Sequence, residues 1–203
     1  MLILGIDNGV TGSLSAFRDG QLLDFRETFT KKWLKPTVSS RESYMARIDV
    51  EALSAWINSL KSGNEEIQAV LERAMTDQTR FAATISSHHA QEALMITLEL
   101  LKVSYMTIDS KVWQSRFLPR ISGSISLKAE SKRKGIEEFP AFAGVINSHG
   151  DADAIFIGKL AIDFPEVFLP DSKRTVKKKR QIKIKHFGVN FDESQFDQLH
   201  SDL

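Results

Sequence analysis

Cysteine is absent from the 203-residue chain. That absence excludes disulfides, Cys-ligated zinc, iron–sulfur clusters and thiol nucleophiles together. Long apolar runs are missing too: no stretch reaches the ~20 residues that a bilayer-spanning helix needs. The amino terminus, Met1-Leu2-Ile3-Leu4-Gly5-Ile6-Asp7, carries neither a basic leader nor a small-residue cleavage site, so a cytoplasmic setting without a membrane partner is expected. No internal repeat recurs. Net charge is almost missing, at +1, yet the charges are segregated. Lys173, Arg174, Lys177, Lys178, Lys179, Arg180, Lys183 and Lys185 follow one another without an acid, and outside that stretch acids outnumber bases by seven. Such segregation says more about partners than the total does. The remaining composition is that of an ordinary globular protein, and the length allows one domain with a real core and a tail.

Hydrophobic periodicity predicts the order of elements. Leu2 to Ile6 reads as a buried strand, Ser13 to Phe17 as a second, and Gln21 to Arg26 as a third across the Asp19-Gly20 hairpin signal. Residues 28–48 read as polar and irregular. Asp49 caps an amphipathic helix with Val50, Leu53, Trp56, Ile57 and Leu60 on one face. A buried strand from Ile67 ends at Glu72. A long helix over about 79–102, a strand over 103–108, a short helix through Phe117, a helix over 127–139 and a last helix from near Ser148 to about Asp163 complete the pattern. Alternation alone gives an α/β fold with a mixed sheet. Three antiparallel strands followed by alternating units is the order of an RNase H-like sheet, mixed and five-stranded with flanking helices. The expected division is a domain over 1–165 and a basic arm with an acidic end over 166–203.

Three carboxylates stand where such a sheet meets solvent. Asp7 follows the first strand and precedes a glycine turn, Glu72 ends the fourth strand, and Asp153 lies at the start of an apolar helical run. If the fourth strand lies beside the first, Asp7 and Glu72 come together. Hard oxygen donors of this kind suit Mg²⁺, with Mn²⁺ as a substitute, and a pair of such ions serves phosphodiester hydrolysis. Any one of these acids is ordinary as a cap or solubilising group; their conjunction carries the reading.

The strings around them resemble RuvC-type Holliday-junction resolvases, the phage-borne branch more than the bacterial housekeeping enzyme, over about residues 2–163. Gly5-Ile6-Asp7-Asn8-Gly9-Val10-Thr11-Gly12 is similar to the family's opening, with Asn8 in place of a proline. Val70-Leu71-Glu72-Arg73 resembles its second acidic motif, and Asp151-Ala152-Asp153-Ala154-Ile155-Phe156-Ile157-Gly158 its last. The resemblance implies a Mg²⁺-dependent endonuclease that resolves four-way or branched DNA as a homodimer, in a bacterial or phage-infected cell. Asp7, Glu72, Asp153 and Asp151 then form the catalytic carboxylates, and Lys128 lies near the scissile phosphate. The family's fourth ligand stands three residues before the last Asp, where this chain has Gly150. His149 and Asp151 are the candidates. On a continuous helix His149 falls nearly on the face of Asp153, whereas Asp151 points roughly 160° away, and Ser148-x-x-Asp151 reads as a capping box. Geometry leans to His149, and the choice stays open.

Lys111, Arg116, Arg120, Lys128, Lys132, Arg133 and Lys134 form a basic belt suited to DNA contact or to a solvated helix face. The dense run containing Lys177, Lys178, Lys179 and Arg180 suits phosphates, with a solubilising tail as the plainer reading. Phe81 is a candidate wedge between bases and Trp33 a candidate stacking group; core packing or packing on the body is as ordinary for either. Leu94, Leu98 and Leu101 fit a core or a dimer interface. Rival functions are a non-catalytic branched-DNA-binding protein on the same fold, a general nuclease or RNase H, and an actin-like or sugar-kinase phosphotransferase. The last shares the Gly-Ile-Asp-x-Gly-x-Thr loop, but its second glycine-rich phosphate loop finds no convincing counterpart here.

Overall fold

The structure is a computed structural model that describes residues 1–34, 44–118 and 126–168. Its centre is β1 (Leu2–Ile6), buried at every position because both faces of the sheet are covered. β2 (Ser13–Arg18) pairs antiparallel with β1, and β3 (Gln21–Glu27) antiparallel with β2. The predicted hairpin turn is present: Asp19 and Gly20 have φ of 52° and 79°, the pair of positive values that a type I′ turn requires.

Residues 28–48 depart from expectation. β4 (Thr30–Leu34) and β5 (Tyr44–Ile48) form a separate two-stranded antiparallel ladder rather than an irregular segment. Both of its faces are largely exposed, so neither strand carries the alternating apolar pattern by which a half-buried strand is read. Lys35 and Pro36 lie outside the described residues.

α1 (Val50–Leu60) starts as predicted, the Asp49 carboxylate accepting from Ala52 N at 3.3 Å. β6 (Ile67–Glu72) runs parallel to β1, and after α2 (Phe81–Leu100) β7 (Ser104–Ile108) runs parallel to β6. The sheet order is β3-β2-β1-β6-β7, an RNase H-like arrangement of three antiparallel strands and then two parallel ones. α3 (Ser110–Phe117) and α4 (Leu127–Glu138) follow, the latter capped by Ser126. A 3₁₀ turn, Pro140–Phe142, leads into α5 (Ala143–His149) and α6 (Asp153–Asp163), and a second, Pro165–Phe168, comes after α6. Among the described residues no helix is long and apolar enough to cross a membrane.

Alternate residues of the strands feed two cores. Leu2, Leu4 and Ile6 pack with Leu53, Ile57, Leu94 and Leu98 of α1 and α2. Ile3, Phe17 and Val70 pack on the other face with Trp113, Phe117 and the apolar body of α6. The leucine stripe of α2 is therefore core, with Leu101 packed against it.

The continuous last helix expected from Ser148 does not form. Gly150 takes φ +104°, its N–H bonding to Ile146 O at 2.9 Å, and so ends α5 with a left-handed cap. Asp151 and Ala152 are non-helical, and α6 starts afresh at Asp153. The capping box read at Ser148 and Asp151 is absent for the same reason.

α6 lies unusually near β1. A Cβ on Gly5 would stand less than 3.0 Å from Ala154 O, Gly158 N and Ser15 Oγ. Ser15 Oγ donates to Ala154 O at 2.7 Å across the same contact. Gly5→Ala is expected to cost about 3 kcal/mol or more, a fall in Tm on the order of 10 °C. Gly144→Ala on α5, where an added Cβ meets nothing within 4 Å, should instead leave Tm unchanged or raise it slightly. Thermal melts of both check this; equal Tm values would show that the Gly5 contact imposes no constraint.

Candidate metal centre

Parallel pairing puts the carboxyl ends of β1 and β6 at one edge of the sheet. Ile6 is in register with Leu71, so Asp7 and Glu72 leave adjacent strand ends side by side. Ligands gather at this edge in open α/β sheets because the strand ends leave a crevice there. Asp153 arrives from the first turn of α6, Asp151 from the link that precedes it and His149 from the last turn of α5. Lys128 reaches in from the first turn of α4.

The cluster is closely knit. Asp7, His149 and Asp151 each place a potential ligand atom within 4.8 Å of the others. Asp151 is 2 % exposed; its Oδ2 accepts from Lys128 Nζ at 2.9 Å and its Oδ1 from Asp153 N at 3.3 Å. His149 Nε2 stands 3.3 Å from Asp151 Oδ1 without the alignment of a hydrogen bond. Glu72 Oε2 accepts from Trp113 Nε1 at 2.7 Å. Asp151, expected to point away on a helix, is thus turned into the cluster together with His149. Both candidates for the fourth ligand are present, and the break at Gly150 is what allows it.

Crowding acid groups in a dry place raises their proton affinity. Asp7 is held well above the usual carboxylate range by burial first, then by Asp153, Glu72 and Asp151. Asp153 is pushed up to about 7 by burial and by Asp151, with Ser131 and Lys128 opposing. Burial also raises Glu72, against the Trp113 hydrogen bond and Lys128. Asp151 goes the other way: although burial opposes it, His149 and Lys128 hold it down at about 2. The Asp151 side chain in turn raises both His149 and Lys128.

This donor set fits a hard divalent cation. Carboxylates and one imidazole converge beside the Lys128 ammonium, a set of mostly hard oxygen donors with little positive charge to oppose it among the described residues. Among the described residues, Asp153 Oδ1 is buried without a hydrogen-bond partner, a cost that a coordinated cation relieves.

The basic belt is divided. Lys111 and Arg116 are exposed, the Arg116 guanidinium lying 4.9 Å from the Phe164 ring centroid. Arg133 pairs with Glu130 and Glu137, both at 2.8 Å. Lys132 Nζ donates to Asn147 O at 3.3 Å and Lys134 Nζ to Phe117 O at 2.6 Å. These three therefore have local structural partners. Arg120, Lys177, Lys178, Lys179 and Arg180 lie outside the described residues. Phe81 is 72 % exposed, so it is not core. Trp33 is half-exposed beside the Arg47 guanidinium, 5.1 Å from its ring centroid.

Two contacts escaped the sequence reading. Trp113 touches Glu72, and Asn8 Nδ2 donates to Ser87 Oγ at 3.1 Å, tying the end of β1 to α2. Their partners are 41 and 79 residues away, and no local pattern marks such pairs.

Thermus thermophilus RuvC in complex with a Holliday junction substrate aligns with 82 % of this chain and 96 % of its own, at 14 % identity and a TM-score of 0.45. A Thermus thermophilus RuvC structure aligns with 79 % and 97 %, at 14 % identity and a TM-score of 0.39. No protein family and no curated protein sequence matches the chain.

The raised carboxyls give a stability prediction. A folded pKa above the ordinary value means the folded state binds the extra proton. Asp153 then stabilises fully below about pH 4, and that contribution is lost as pH rises through about 7. In EDTA at pH 8, Asp153→Asn should therefore melt higher than the wild type, by about 2–4 °C for each kcal/mol of repulsion relieved. Mn²⁺ should raise the wild-type Tm more than that of the variant. A lower Tm for the variant in EDTA would show that the carboxylates do not repel one another as described.

Proposed function

We propose that the chain is a divalent-cation-dependent endonuclease that hydrolyses phosphodiesters of branched DNA, four-way junctions foremost. The observation that carries the reading is the convergence of Asp7, Glu72, Asp151 and Asp153 at the carboxyl ends of two parallel strands, with Lys128 as their cationic neighbour. The choice of branched DNA rests on the motifs around Asp7, Glu72 and Asp153. His149 or Asp151 can stand in for the acid wanting at Gly150, which favours a catalytic protein over a purely binding one.

In this reading Asp7, Glu72 and Asp153 hold Mg²⁺ or Mn²⁺, with His149 or Asp151 beside them. When bound, the cation supplies countercharge and Lewis acidity to the phosphodiester. Asp153, at the helix start and with one buried oxygen unpaired, orients the attacking water. Lys128, ion-paired with Asp151 at 2.9 Å, offsets the charge that builds on the phosphate in the transition state once it gives up part of that contact. Lys111 and Arg116 contact the DNA backbone, as do Arg120 and the basic run containing Lys177, Lys178, Lys179 and Arg180. Lys132, Arg133 and Lys134 reach DNA only by giving up part of their present contacts. A homodimer presents two such sites to opposed strands, so that nicks are symmetric.

Cleavage of a synthetic four-way junction in Mg²⁺ tests this. Asp7→Asn and Glu72→Gln should each lower the rate at least about 100-fold, the scale expected when several kcal/mol of transition-state stabilisation is removed. Lys128→Ala should cost about 10²–10³-fold, as removal of one oxyanion donor does. Activity of Asp7→Asn equal to wild type would sink the assignment. Junction binding without product at any Mg²⁺ or Mn²⁺ concentration would establish the non-catalytic reading. Equal cutting of linear duplex or RNA–DNA hybrid would move the protein to a general nuclease or RNase H.

A further inference from the structure

Glu72 enters the carboxylate cluster with one oxygen already engaged. Its Oε2 accepts from Trp113 Nε1, and the donor is firmly fixed. Trp113 is 1 % exposed, and its indole packs parallel to and offset from the Phe156 ring, with centroids 6.4 Å apart and an interplanar angle of 6°. Phe156 belongs to the first turn of α6, the helix that opens with Asp153. One indole therefore holds two cluster members in relation: its N–H grips the acid at the end of β6, and its ring grips the helix that carries another. The ring alone would serve packing. A buried indole N–H needs an acceptor, and any backbone carbonyl would satisfy it. Here the acceptor is a carboxylate among like charges, and a fixed donor on one oxygen sets the rotation of the whole group.

We propose that Trp113 is a positioning residue of the metal centre, turning Glu72 so that it offers Oε1 alone, a one-oxygen contact that favours Mg²⁺ or Mn²⁺ over Ca²⁺. The inference rests on the metal-centre reading above. Its chemical basis is the difference between the ions. Ca²⁺ takes six to eight oxygens and often chelates both oxygens of a carboxylate, whereas Mg²⁺ demands a tight octahedron. Hydrogen bonds to ligands from the surrounding shell also fix ligand orientation and affinity. Loss of the indole N–H frees Glu72 to rotate and to chelate with both oxygens.

Trp113→Phe keeps an aromatic ring against Phe156 and removes the donor. The full chain, without DNA, is titrated with Mn²⁺ and separately with Ca²⁺ by calorimetry. The Mn²⁺ affinity is expected to fall about 10–100-fold, while the Ca²⁺ affinity falls less or rises, so that the preference between the two ions shifts toward Ca²⁺. A purely structural tryptophan would weaken both ions alike. That result, or an unchanged Mn²⁺ affinity in a folded variant, overturns the proposal. If Trp113→Phe fails to fold, 3-benzothienylalanine at position 113 carries the same test, since sulfur replaces the N–H in a ring of the same shape. A wild-type chain that binds neither ion overturns the metal-centre reading itself, which keeps the two failures apart.

Discussion

The close seating of α6 on β1 is the contact from which the rest of the molecule follows. Two backbones approach where Gly5 has no side chain, and Gly158 comes up against Phe17 and Ser15 on the neighbouring strand. Ser15 Oγ completes the junction by donating to Ala154 O. Because Ala154 adjoins Asp153, the same contact that packs the second core also sets an acid beside Asp7. Packing and chemistry thus share one joint.

The cluster so formed works against folding. Asp7, Glu72 and Asp153 are all raised in proton affinity by burial and, in each case, by at least one neighbouring carboxylate. Lys128 offsets part of this, and its strongest link is to Asp151. The two cores on either face of the sheet hold the fold together against this repulsion. A hard cation bound there would change the balance, converting mutual repulsion into shared attraction.

The last link before α6 shows how a single glycine redirects chemistry. A continuous helix through 149–153 would point Asp151 away from Asp153. The left-handed Gly150 ends α5, and the two residues after it run free of helical geometry. Asp151 can then bury itself against His149 and Lys128 while its Oδ1 accepts from the first N–H of α6. The glycine was visible in the sequence. Its conformation was not, because a glycine at that point is tolerated within a helix as well as at its end.

The sequence alone shows the sheet, the Asp19-Gly20 turn, the Asp49 cap and three acids at element ends. These are local signals of periodicity, turn chemistry and capping, each written within a few residues. It also pointed to Lys128 through the resemblance of its surroundings. The rest arises only on packing. The β4–β5 ladder is paired through backbone groups on strands exposed on both faces, which leave no periodic trace. The pairing of Trp113 with Glu72, and the convergence of both His149 and Asp151 on Asp7, depend on contacts between distant segments. Which side chains meet at a strand end is set by how closely the layers seat, and that distance is a property of the packed whole.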